Sequence, residues 1–551
     1  MVHARTLRAA LPVAALALLA GACDASGSPV AATGATSNFS SNQVTTAPAK
    51  GHLSGLSWYG DYRAPYSEDP LKTADYPEET VLGNVCEPLL RTGADYSLHP
   101  GIAESWSQRD AEHLVLDLDP RATFSDGHPV TTADVVYSLL RNQDPDEASN
   151  YADSYNDVVS VKATGAEQVT VTFSKPDYLF VRNLGILAGA VVEKAFAVKA
   201  GQRFGNADTG VVCSGPYTIA SFDGTNTMVL KRDPAYWDHS HEGKAATITF
   251  RFLADPAAIA NALTSGSLNG AFDLPPSTIA RLSRTADGKL YVGAPGSTTQ
   301  NIDLIISRFT GAFADVRVRQ ALSLAIDRTG IARTLFYGAA DPLYSVAGSG
   351  FWETSPAKSV YAAAYQKLVR PPDTGAATKL VKEAGATGKQ ITIGYAADSP
   401  TQAQIAQVLQ QTGDSIGLRV RIVGLPDQQY GNLFITPKAR AAYDSFLTVN
   451  YLEYPEAANM YQSYATKAGA QNFNGYTDPT VEADLSKAQG TQDPRRRAQY
   501  VTQAQAVIAR ALPWIPIVSP RALLFQNDDV TGAPLTFSYM DNAWAASMGA
   551  P

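Results

Sequence analysis

The sequence is poor in the side chains on which most metal and general-base chemistry depends. Only three cysteines (Cys23, Cys86 and Cys213) and seven histidines occur in 551 residues, and no histidine follows His241. Thiolate-rich or imidazole-rich metal sites and histidine general bases are therefore not expected in the second half. Basic residues are outnumbered, 44 Lys and Arg against 52 Asp and Glu, for a net charge of −8. Nucleic-acid binding, which needs a clustered basic surface, is not expected. No apolar run matches the ~20 residues of a membrane-spanning helix. The Walker A sequence, a complete Gly-x-Gly-x-x-Gly, the Gly-x-Ser-x-Gly elbow, His-Glu-x-x-His and Cys-x-x-Cys are all missing. His239 and His241 could chelate a metal, but they read as an exposed loop after Tyr236-Trp237-Asp238. Asp528 and Asp529 read as solvated. No metal, cofactor or catalytic residue is assigned.

What is present is globular. Hydrophobic residues make up 45%, and the chain is too long for one core, so two or three domains are expected. Arg5 and Arg8 precede the apolar run Leu11–Ala20, and Gly21-Ala22-Cys23 follows. This pattern predicts a secretory signal over residues 1–22. A cysteine directly after small residues resembles the lipobox of bacterial lipoproteins, which implies that Cys23 becomes a lipidated first residue. Cleavage at an Ala-x-Ala-like site, with full secretion, is the alternative. Residues 23–50 are rich in Ser, Thr, Ala and Gly and are expected to be a flexible tether. Cys86 and Cys213 then remain. Outside the cytoplasm two such cysteines most often pair, the alternative being two separate buried thiols.

Along the rest of the chain, strand and helix periods alternate. Residues 53–58 read as a strand that breaks at Tyr59-Gly60-Asp61, and 80–90 as mostly helix. Thr131 and Asp134 form a capping box ahead of a stripe of Val135, Val136, Leu139 and Leu140. Asp255-Pro256, Asp478-Pro479 and Asp493-Pro494 each start a helix, as does Asp315. Ile391, Ile393 and Tyr395 alternate. Ile405, Val408, Leu409 and Thr412 follow helical spacing, and Leu418, Val420 and Ile422 alternate again. That is a βαβ unit, which requires a partly parallel sheet. A last strand is read at 522–525. Two α/β lobes and an insertion follow from this pattern.

Several segments, in order, resemble the extracellular solute-binding proteins of family 5, the dipeptide-, oligopeptide- and nickel-binding subunits of bacterial ABC importers. They are NVCEPLLRTGADYSLHPGIAESW (84–106), FSDGHPVTTADVVYSLLR (124–141), SGPYTI (214–219), RDPAYWD (232–238), FADVRVRQALSLAIDR (313–328), NFNGYTDPTVEADL (472–485) and LPWIPI (512–517). The resemblance implies an α/β type II periplasmic-binding-protein fold. Lobe I would comprise 51–85 and 213–300, with an inserted subdomain at 86–212. Lobe II would comprise 301–512, and 513–551 would return to lobe I. Cys86 and Cys213 would flank the insertion and suit a clasp. The partners implied are a peptide or other small solute, an ABC permease with its ATPase, and a membrane reached through the lipid anchor; the family default is a monomer.

In open α/β sheets ligands bind beyond the carboxyl ends of strands. Residues 443–449 read as such a strand, followed by Asn450-Tyr451-Leu452-Glu453-Tyr454-Pro455. Peptide-binding relatives commonly place Trp-x-x-Asp here, the Asp anchoring the peptide's α-ammonium group. In this chain Asn450 takes the Trp position and Glu453 the Asp position. Glu453 is thus a candidate ammonium anchor or, alternatively, a solvated loop residue. Tyr59, Ser214, Phe351, Trp352 and Tyr451 are further cleft candidates, each of which fits core packing equally well. The reading is a binder that performs no bond chemistry. Rivals are a nickel-chelate or sugar binder on the same fold, a secreted carboxylate hydrolase, and a sensory or adhesive lipoprotein without its own transporter.

Overall fold

An eight-stranded mixed sheet forms the frame of lobe I. Its order is Thr36–Asn38, Gly288–Val292, Leu523–Asn527, Gly270–Phe272, Leu56–Asp61, Thr247–Phe252, Thr227–Arg232 and Tyr217–Phe222. The structure, a computed structural model, describes residues 36–38, 44–73 and 75–551. The expected signal segment, Cys23 and part of the expected tether lie outside the described residues. Where it is described, the tether is not free chain. Thr36–Asn38 pairs in parallel with Gly288–Val292, Thr46 is buried, and the Thr46 and Lys50 amides donate to Ala533 and Ala550 carbonyls at 2.9 Å each. Composition weighs side chains, whereas this docking is made by backbone groups finding partners in the C-terminal segment.

Leu56–Asp61 lies between the parallel neighbours Thr247–Phe252 and Gly270–Phe272. The strand therefore runs through Tyr59-Gly60-Asp61, where the sequence suggested a break. Pairing extends as far as Phe252 opposite Asp61. The first helix spans Tyr76–Leu82 rather than 80–90. Asp75 caps it, Pro77 sits in its first turn and Gly83 ends it, so Cys86 lies beyond the helix.

The inserted subdomain is a four-stranded antiparallel sheet, Ala103–Asp110, His113–Leu118, Gln168–Phe173 and Val158–Ala163. Helix Thr132–Leu140 begins with the expected Thr131–Asp134 capping box. Cys86 and Cys213 form a disulfide where the insertion leaves and rejoins lobe I. Gly215 follows closely, and a Cβ there would meet the Val85 carbonyl oxygen at 2.4 Å. Only glycine lets these two backbones run so close together.

Lobe II is a six-stranded sheet in the order Ala340–Pro342, Trp514–Pro520, Asn301–Ile306, Ser445–Asn450, Gln390–Ala396 and Arg419–Leu425. The last two strands are parallel and are joined by helix Pro400–Ser415, as the βαβ pattern required. Trp514–Pro520 pairs with Asn301–Ile306, so the chain returns to lobe I at Arg521–Ala522 and not at residue 513. The outgoing crossing is 293–300. The two crossings are stitched together: Gly293 N donates to Ala522 O at 2.8 Å, Ala522 N to Ser297 Oγ at 3.0 Å, and Thr298 Oγ1 to Pro520 O at 2.5 Å.

Candidate functional site

The lobes meet where lobe I strands end and where the turn after Ser445–Asn450 projects from lobe II. Parallel neighbours Leu56–Asp61 and Gly270–Phe272 each deliver an aspartate at the carboxyl end, Asp61 and Asp273. Both adopt left-handed backbone conformations, with φ of 97° and 45°, which side chains other than glycine rarely take up. Both remain half-buried. Burial and the nearby Asp273 push the Asp61 carboxyl well above its usual range. Burial pushes Asp273 up to about 6, with a hydrogen bond from Gln300 opposing it. Gln300 Nε2, on the outgoing crossing, donates to Asp273 Oδ1 at 3.0 Å and to Tyr76 Oη at 2.8 Å.

A second group of carboxylates lies behind an aromatic wall. Helix Tyr76–Leu82 presents Glu79, 0% exposed. The turn after Phe537–Met540 presents Asp541, 1% exposed. Lobe II presents Glu453, half-buried. Tyr451 Oη donates to Glu79 Oε2 at 3.1 Å across the interface. Asp541 Oδ1 accepts from Leu187 N at 3.0 Å, and its Oδ2 has no partner among the described residues. Among the described residues, none of the three carboxylates makes an ion pair. Burial, then repulsion from Glu453 and Asp541, holds Glu79 far above the usual carboxylate range. Burial and Glu453 do the same to Asp541, and burial pushes Glu453 up to about 7. Burial and mutual repulsion both favour the protonated forms of these carboxyls.

Aromatic rings separate the two groups. Tyr76 packs on Tyr451 at 4.9 Å and Tyr451 on Phe537 at 5.2 Å. Phe272 stacks on Tyr539 at 4.1 Å. The cation at the entrance, Arg63, is already engaged. It pairs with Asp75 at 2.8 Å and Glu78 at 2.6 Å and covers the Tyr66 ring at 3.8 Å. Tyr66 reaches lobe II, donating to Asp427 Oδ2 at 3.2 Å. Further contacts join the lobes: Tyr454 Oη donates to Asn183 at 2.7 Å, and Gln489 Nε2 donates to Asp157 and Asp177 at 2.8 Å each.

A model of the family of bacterial extracellular solute-binding proteins, family 5 (middle region), matches residues 97–472. The chain belongs to this family. Glutathione-binding protein GsiB of Salmonella typhi is 24% identical over 474 residues, covering 84% of this chain and 89% of that protein. Among solved structures, the murein tripeptide binding protein MppA of Escherichia coli superposes with a TM-score of 0.77 at 20% identity, over 91% of this chain and 99% of that one. NikA of Staphylococcus aureus, in complex with Ni(L-His)2, superposes with a TM-score of 0.71 at 19% identity, over 89% and 98%. These two structures show the shared two-lobed fold. As a family 5 member, the chain is an extracytoplasmic solute-binding protein that serves an ABC importer. The guests that these proteins' names specify differ in chemistry: glutathione, a murein tripeptide and Ni(L-His)2.

Of the residues singled out by sequence, Tyr451 and Glu453 come together at the lobe interface. Asn450 stays within lobe II, its Oδ1 accepting from Gln471 at 3.2 Å. Tyr59 is 4% exposed in lobe I's core, and its strand delivers Asp61 to the cleft instead. Phe351 and Trp352 are buried in lobe II's core, where Trp352 stacks on Tyr361. Ser214 is buried beside the disulfide at the root of the insertion. His239 and His241 are exposed, bonded to Glu242 and Asp238. Glu79, Asp541, Asp61 and Asp273 escaped the sequence reading. Glu79 reads as an ordinary acid in a helix's first turn. A signal for Asp541 was available in the run Phe537-Ser538-Tyr539-Met540-Asp541, too aromatic to be surface.

Proposed function

We propose that this protein captures ammonium-bearing solutes, peptides foremost, between its lobes and passes them unaltered to its permease. The carrying observation is the meeting of Glu79, Asp541 and Glu453, from both lobes, without a paired cation. Ionising such buried carboxyls without a partner costs several kcal/mol, and a guest ammonium offsets that cost. Lobe I supplies Glu79 and Asp541; lobe II supplies Glu453 and Tyr451. A cation held by both favours the closed arrangement, and closure follows from that differential affinity. The relatives whose names specify glutathione and a murein tripeptide support peptide as the guest class.

The test compares trialanine with N-acetyl-trialanine, which lacks the ammonium. Loss of one buried charge partner is expected to weaken binding about a hundredfold. Equal binding by calorimetry overturns the ammonium anchor. The trialanine is expected to be recovered intact by mass spectrometry, and products formed at catalytic turnover would instead support a hydrolase. Cys23 as a lipid anchor belongs to the same reading. Cys23→Ala is expected to leave the membrane fraction, and continued fractionation with membranes would overturn the anchor.

A further inference from the structure

Within the same cleft, the carboxylates are not gathered at one point. Glu79, Asp541 and Glu453 form one group. Asp61 and Asp273 form another, on the far side of Tyr76 and Tyr451. Neither Asp61 nor Asp273 makes an ion pair among the described residues, and Arg63, the cation beside Asp61, is committed to Asp75 and Glu78. Two buried polar groups lie near the aspartate pair. Tyr539, 4% exposed, has a hydroxyl without a hydrogen-bond partner among the described residues, within electrostatic reach of Asp273 and Asp61 and also of Glu79. Gln300, 2% exposed, donates to Asp273 while its own Oε1 has no partner among the described residues.

Asp61 and Asp273 are not part of a three-residue convergence of ligand-type atoms among the described residues. Among the described residues, the ligand-type atoms that converge within 4.8 Å belong to Asp126, His128 and Glu193, on the insertion. Separate carboxylates across an aromatic divider suit an organic guest with two separate positive groups and an apolar span between them. Two neighbouring strands each lead into an aspartate in the left-handed region, a strain that clusters at ligand sites.

We propose that Asp61 and Asp273 form a second cation subsite, so that the cargo class is dicationic: a short peptide with a basic side chain, or an organic diamine of similar reach. This rests on the cleft being the solute site.

The experiment titrates ligand-stripped mature protein with trialanine variants carrying one lysine at each position. Norleucine at the same position serves as the uncharged match, and 1,5-diaminopentane as a non-peptide probe. The lysine peptide is expected to bind about tenfold tighter than its norleucine match in at least one position. Asp273→Asn and Asp61→Asn should each remove most of that preference, read as the ratio of lysine-peptide to norleucine-peptide affinity in the same variant. Asparagine tolerates positive φ, so both variants are expected to fold, and a thermal melt checks this. Equal binding of lysine and norleucine peptides by the unsubstituted protein overturns the subsite, as does a preference that survives both substitutions. If no peptide binds but the diamine does, and Asp273→Asn weakens it, the second subsite stands and the peptide reading fails. If neither peptides nor diamine bind, the subsite is wrong.

Discussion

Glu453→Gln is expected to lower affinity for an ammonium-bearing tripeptide about a hundredfold, because it removes lobe II's carboxylate from a buried cluster. Acidification should act in the same direction on the unsubstituted protein. With Glu453 pushed up to about 7, lowering the pH from 8 to 5.5 protonates the anchor and costs roughly thirtyfold in affinity for each proton that the guest must displace. Binding should therefore release protons, visible as a dependence of the binding enthalpy on the buffer's ionisation enthalpy.

Stability of the ligand-free protein should move the opposite way. A carboxyl whose folded pKa is raised binds more protons folded than unfolded between its ordinary value and the raised one. Stability then falls as pH rises through that window. For Glu453 the window runs from 4.5 to about 7; Asp273, raised from 3.8 to about 6, acts similarly, and Glu79 and Asp541 share the direction. The ligand-free melting temperature is thus expected to rise between pH 7.5 and 5.5 while peptide affinity falls. Glu453→Gln should flatten both trends, which separates this cluster from groups such as His128. The substitution should also ease ligand-free closure, seen as a smaller radius of gyration in X-ray scattering. A melting temperature that falls on acidification over this range contradicts the arrangement.

The second large effect concerns the disulfide. Cys86 and Cys213 are separated by 127 residues in sequence, and both are buried in lobe I's core. Closing so long a loop restricts the unfolded chain by about 5 kcal/mol in the chain-entropy account, with measured losses on removal of roughly 2–5 kcal/mol. The double variant Cys86→Ala/Cys213→Ala is expected to lose stability within that range in urea unfolding. Limited proteolysis should cut first within 87–212, because the bond gathers the insertion's two ends. An unchanged unfolding midpoint and cutting pattern would show that packing alone secures the insertion.

Local rules made much of the fold legible. The Thr131–Asp134 capping box, the Asp-Pro helix starts and the parallel unit around Pro400–Ser415 are each written in a few adjacent residues. The interface was half legible. Glu453 stood out because it follows a strand end, but its partners are remote in sequence, Glu79 by 374 positions and Asp541 by 88. Nothing local distinguishes a carboxylate that will face another carboxylate from one that will face water. The aromatics misled for the converse reason. Phe351 and Trp352 lie in a glycine-rich stretch that resembles a ligand loop, yet they pack in lobe II's core. Tyr59 pointed to the right strand and the wrong residue, because pairing with Thr247–Phe252 continues to Asp61.

The stitched crossings set how occupancy is broadcast. Gln300 lies on this spine and grips Asp273 and Tyr76, so the pivot runs alongside the proposed guest site. A rotation at the spine would part Tyr66 from Asp427, where the lips touch. A transporter resting on those lips would read a lever arm: it would distinguish full from empty by position alone, without touching what is carried.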